Sequence, residues 1–79
     1  MNRRSSYSTV AIDHEFVYIQ DCNGPLSVTN DAEVVVAELL KTYPNKRIMY
    51  EDSEGNWDEL VHNGSHFTDF RPGHPPYFS

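Results

Sequence analysis

Cysteine is almost missing from this chain: Cys22 is the only one in 79 residues, so no disulfide can form within it. That fits a reducing compartment and leaves stability to packing alone. Basic residues are also scarce, six Lys and Arg against twelve Asp and Glu, for a net charge of −6. Arg3 and Arg4 fall in a polar leader, residues 1–6, predicted to be disordered, so the folded body is more acidic than the total. Direct nucleic-acid binding needs Lys and Arg to neutralise phosphates, and anionic membranes make the same demand; this body meets neither. No apolar run approaches the ~18 residues of a spanning helix, and the N-terminal stretch lacks the apolar segment of a signal peptide. The chain therefore reads as soluble and cytoplasmic. Apolar residues make up only 38%, so one Trp, five Tyr and four Phe must supply much of the core. A chain of this size buries about 60% of its unfolded surface, which favours one small core and a shallow surface over a deep substrate pocket.

What is present is a set of strand-like runs around one helix. Residues 7–12 form a β-compatible stretch, with a turn at Asp13-His14. Residues 15–20 place Phe16 and Tyr18 on one face and Val17 and Ile19 on the other, which predicts a central strand. Asn23-Gly24-Pro25 breaks it. Ala32, Val35, Val36, Leu39, Leu40 and Tyr43 then recur at helical spacing as one apolar stripe, despite the β-branched run 34–36. Asn30 as cap, with Glu33 three residues on, suggests a capping box, and Pro44-Asn45 ends the helix. Strands are predicted over 47–51, 57–62 and 65–70, with a Gly55-containing loop between the first two and an Asn63-Gly64 turn between the last two. The expected fold is α+β, in the order (β)β-α-β-β-β: one helix packed on a four- to five-stranded antiparallel sheet. Residues 7–72 form the domain, and residues 73–79 an extended Pro-rich tail whose Tyr77 and Phe78 are candidates to dock back.

The densest chemistry lies between residues 51 and 59. Glu51, Asp52, Glu54, Asp58 and Glu59 crowd around Gly55 with Trp57 among them. Five carboxylates beside a large aromatic repel nucleic acid and suit a basic protein partner, so all six side chains are candidate partner-binding residues. Strand alternation groups Trp57 with Glu59 and Asp58 with Leu60. If Leu60 faces the core, Trp57 points away from it as a docking anchor; otherwise it packs beneath the helix.

Other constellations carry less. Adjacent carboxylates on a strand point to opposite faces and cannot converge on one bond. His62 and His66 flank a turn and, with His14, His74 or Cys22, are candidates for a metal-dependent regulator, but their spacing matches no strong zinc pattern. Residues 52–56 lack the spacing and terminal Glu of a calcium loop. Thr29-Asn30-Asp31 is too acidic and glycine-poor to cradle phosphate. Cys22 is a lone thiol at the end of a strand-like run, most simply a small hydrophobe. No catalytic residue, cofactor or metal is assigned, and the expectation is a non-enzyme.

The runs Leu26-Ser-Val-Thr-Asn-Asp-Ala-Glu33 and Tyr50-Glu-Asp-Ser-Glu-Gly-Asn-Trp-Asp-Glu-Leu-Val-His62, followed by Gly64 and Phe67, resemble small accessory proteins of tailed bacteriophages. The resemblance spans residues 16–72 and transfers no site. It implies a context in which short acidic proteins bind and disable a host enzyme or defence complex, as anti-CRISPR and other counter-defence inhibitors do. The expected function is therefore inhibition or modulation of a host protein, one that is basic and binds nucleic acid, within the host cytoplasm. A narrower version is a DNA mimic whose carboxylates are spaced like phosphates. A small virion or assembly component is the structural alternative.

Overall fold

The described residues form five short strands and one helix. The computed structural model describes residues 7–21, 29–52 and 54–77, with backbone alone at 21 and 29–31. The elements are β1 (Tyr7–Ile12), β2 (Phe16–Asp21), α1 (Thr29–Thr42), β3 (Arg47–Glu51), β4 (Trp57–His62) and β5 (Phe67–Pro72). All five strands join one sheet in sequential order, β1-β2-β3-β4-β5. The α+β class and the element order are as expected.

The sheet is mixed rather than wholly antiparallel. β2 and β3 run parallel, from Phe16 opposite Arg47 to Gln20 opposite Glu51, while the other three pairs are antiparallel. The cause lies in the connection: a helix between neighbouring strands returns the chain to the end where the first strand began, which makes the second parallel to it. β2 is central, as its two apolar faces required. The expected strand 65–70 begins later because Asn63 organises a four-residue turn instead of a two-residue one. Its Oδ1 accepts the N–H groups of Ser65 at 3.1 Å and His66 at 3.0 Å. β5 then extends to Pro72, an edge position where a missing N–H costs no ladder bond.

One sheet face meets the helix. Val17 and Ile19 of β2, Ile48 and Tyr50 of β3, Leu60 of β4 and Phe67 of β5 pack against Ala32, Val35, Val36 and Leu39. The helical stripe is thus covered as its periodicity predicted, with Leu40 and Tyr43 partly buried at its margin. Glu33, near the start of α1, accepts the N–H of Phe67 in β5 at 3.1 Å, and Glu38 accepts the Tyr7 hydroxyl of β1 at 3.2 Å. The helix therefore reaches both edges of the sheet. Glu33 ties α1 to β5, and the expected capping box rests on the Asn30 side chain, which lies outside the described residues.

The opposite face is covered by the C-terminal segment. After β5, the Gly73 N–H donates to the Trp57 carbonyl at 2.9 Å and the chain passes over the back of the sheet. His74 meets Phe16 edge-on at 5.0 Å and Tyr18 at 5.8 Å, and Tyr77 stacks on His74 at 4.8 Å. Residues 73–77 thus act as a strap, and Tyr18 and Met49 beneath them are fully buried. Tyr77 does dock back, although only its inner side is covered and 82% of it stays exposed. Phe78 lies outside the described residues.

Candidate functional site

The β3–β4 loop is built by one aspartate. Asp52 Oδ1 accepts the N–H groups of Glu54 and Asn56, both at 2.9 Å, and the Asp52 N–H donates to the Asn56 carbonyl at 2.9 Å. Gly55 takes φ +87°, which an L side chain resists. These bonds shape the described part of the hairpin tip around Asp52.

The structure divides the six predicted partner-binding residues. Glu54 is exposed at the tip, and Asp52 beside it is half-buried with one oxygen engaged by the turn. Glu51 reaches toward the same loop, its Oε2 being 3.9 Å from where a Cβ on Gly55 would stand, while its Oε1 accepts from Gln20 Nε2 at 2.9 Å. Asp58, opposite Tyr50 and Pro72, shares the helix-side face with Leu60 but sits at the hairpin end, half-buried. None of these four has a Lys or Arg within ion-pairing distance among the described residues.

Glu59 is withdrawn from that surface, a correction to the sequence reading. It is 4% exposed and held by Arg47, with Nε to Oε2 and Nη2 to Oε1 both at 2.8 Å. Arg71 adds a contact at 3.4 Å, and Arg47 also reaches Glu15 at 3.1 Å while its guanidinium lies 5.0 Å from the centre of the Phe16 ring. The Arg47 hydrogen bonds hold the Glu59 carboxyl below the usual carboxylate range against the opposing effect of burial. Reciprocally, Glu59 raises Arg47, so the pair is ionised at any ordinary pH. Arg47 lies twelve residues earlier on the neighbouring strand, where a linear reading of the acidic run does not look.

Trp57 takes neither place expected of it in full. Leu60 does face the helix core, so Trp57 points to the other side with Glu59. That side is the strap-covered one, where Trp57 meets Tyr18 edge-on at 5.9 Å and is half-buried. Part of its ring remains accessible next to the acidic tip.

His62 and His66 make local contacts. His62 Nε2 is 3.1 Å from the Lys46 carbonyl and its Nδ1 accepts the Gly64 N–H at 3.2 Å, while His66 lies 3.7 Å from Glu33. Among the described residues, no three of His, Cys, Asp and Glu gather as metal ligands, and no helix is long and apolar enough to cross a membrane. Cys22 lies outside the described residues. The back-face residues Phe16, Tyr18 and Met49 were absent from the candidate sites; the available signal was the apolar alternation on both sides of residues 16–19, which demands a second cover. The chain matches no protein-family model, and no curated protein or solved structure is significantly similar to it.

Proposed function

We propose that this is a non-enzymatic protein that inhibits or modulates a host protein by docking the acidic end of its β3–β4 hairpin onto a basic surface. The observation that supports the reading is the division of its acids. Glu15 and Glu59 are paired internally with Arg47, whereas Glu51, Asp52, Glu54 and Asp58 gather at one end of the sheet with no cationic partner among the described residues. Glu51 faces the strap side and Asp58 the helix side, so the negative charge wraps around the hairpin end, and a cationic surface is drawn to their summed field. A groove charged for phosphates offers such a surface, and occupying it excludes nucleic acid. The accessible edge of Trp57 adds apolar contact next to the charges. The phage-like runs supply the setting, a host cytoplasm in which a defence or nucleic-acid-processing complex is the target.

The test compares the parent with an E54K/D58K variant as bait in host lysate, at low salt and at about 0.5 M salt, where charge attraction is screened beyond roughly 4 Å. Circular dichroism first establishes that the variant is folded. A nucleic-acid-binding protein retained by the parent, released by salt and lost with the variant is the expected result. Equal retention by the reversed variant, or nothing above background, overturns the proposal.

A further inference from the structure

The back of the sheet encloses one polar atom without satisfying it. Tyr18 is 1% exposed, and its hydroxyl has no hydrogen-bond partner among the described residues. Enclosed polar groups in native proteins nearly always bond to protein, water or ligand, and an unmet one is destabilising. Tyr18 also lines a cavity of about 200 Å³ together with Ala11, Ile12, Asp13, Pro76 and Tyr77, while its hydroxyl is sealed off from that space. That volume exceeds what one or two waters need, since a water takes about 30 Å³ in the liquid.

The lining defines what fits. Ala11, Ile12 and Pro76 supply hydrocarbon, Tyr18 and Tyr77 supply aromatic rings, and Asp13 supplies the one carboxylate. Asp13 is kept ionised by the N–H groups of Phe16 and Glu15, which donate to Oδ1 at 2.7 and 2.8 Å. Both bonds engage the same oxygen, leaving Oδ2 for another donor. Burial pushes the Tyr18 hydroxyl up, and the Asp13 carboxylate acts on it in the same direction. An anion is repelled by Asp13 and by the net charge of −6. A purely apolar guest leaves Asp13 and Tyr18 without a partner, and a polyol finds too few polar groups.

We propose that this cavity binds a small aromatic amine, with its ring against Tyr77 and Pro76 and its ammonium donating to Asp13 Oδ2 and Tyr18 Oη. The strap governs entry. Tyr77 forms the outer wall and is 82% exposed, so a swing of Pro76 and Tyr77 uncovers the hydroxyl and the ligand then replaces water around it. This site lies on the β1–β2 side of the back face and stands independently of the acidic hairpin tip.

Tyramine is the probe, titrated into the full chain and followed by backbone amide NMR. The expected result is saturable shifts at Ala11, Ile12, Asp13 and Tyr77 with a dissociation constant at or below about 1 mM. Y18F weakens binding about tenfold while leaving the melting temperature equal or higher, because it removes a hydroxyl that had no partner. D13N, which keeps an oxygen for the turn, weakens binding by a similar factor, and 4-ethylphenol, the same ring without the charge, binds at least about tenfold more weakly. Absence of saturable shifts means that the cavity holds water only and overturns the proposal. So does tyramine binding that Y18F leaves unchanged, or 4-ethylphenol binding as tightly as tyramine.

Discussion

At the scale of single residues, the same chemical type does opposite work according to what it faces. Asp13, Asp52 and Asn63 each open a turn and accept two backbone N–H groups through one side-chain oxygen. These polar groups specify the three hairpin connections more than they decorate the surface. Glu59, by contrast, is buried by the strap face and is tolerable there only because Arg47 meets both of its oxygens. Glu59→Gln removes the charge and one of the two acceptors that Glu59 offers Arg47, and a loss of about 2 kcal/mol in urea unfolding at pH 7 is expected. That lies below the roughly 3–5 kcal/mol of a fully enclosed pair because nearly half of the Arg47 side chain is in water, where solvent screens it. The same pair sets an acid limb. Its folded pKa is depressed, so the unfolded chain takes up the proton first. The stabilisation is whole above the unfolded value of about 4.3 and drains away as pH falls from there through the folded value. Urea midpoints measured from pH 7 to pH 3 should fall less steeply for Glu59→Gln than for the parent; parallel curves would assign the acid limb to other carboxylates.

At the scale of elements, periodicity was legible and pairing was not. The apolar stripe from Ala32 to Leu39 wrote the helix and its buried face, and the alternation of Phe16, Val17, Tyr18 and Ile19 wrote a strand with two covered sides. The alternation Trp57, Asp58, Glu59, Leu60 also placed Trp57 and Glu59 together once Leu60 faced the helix. The parallel β2–β3 pair follows from the direction in which a crossover helix returns the chain, a property of the connection and of no residue within either strand. The burial of Glu59 depended on Arg47 from another strand and on a strap that has no periodicity to read. The strap's contact is nonetheless marked by one residue. A Cβ on Gly73 would lie 2.8 Å from Met49 Sδ, 2.9 Å from the Asp58 carbonyl carbon and 3.0 Å from the Glu59 nitrogen. Met49 can shift, but the β4 backbone cannot move without breaking its ladder. Gly73→Ala should therefore lift the strap at its root, lowering stability by about 1–3 kcal/mol in urea unfolding and shifting Trp57 emission to the red. Unchanged emission would mean that the strap accommodates the methyl without leaving the sheet.

At the scale of the whole molecule, the protein is one sheet with two unlike covers. The helix side is a continuous hydrocarbon core, whereas the strap side is a thin aromatic layer of Phe16, Tyr18, Trp57 and His74 over Met49 and the Glu59–Arg47 pair. Neither edge strand invites pairing: β1 is interrupted by a bulge at Val10, and β5 ends in Pro72. With both edges blunted and a net charge of −6 holding copies apart, the strap face is the apolar surface whose cover is lightest. A chain ended at Pro72 should expose it. The helix-side core remains, so far-UV circular dichroism is expected to keep its shape. Loss of cover from Tyr18, Phe16 and Trp57 should lower stability by about 2–4 kcal/mol, given roughly 25 cal/mol for each Å² of apolar surface returned to water. The same surface should bind a hydrophobic dye and drive association that grows with protein concentration, read by sedimentation velocity. If the shortened chain melts like the parent and stays monomeric, the strap is an ornament on a domain that the helix alone sustains. If it associates, the tail acts as the second half of the core, and any ligand that displaces Tyr77 trades against the stability of the whole sheet.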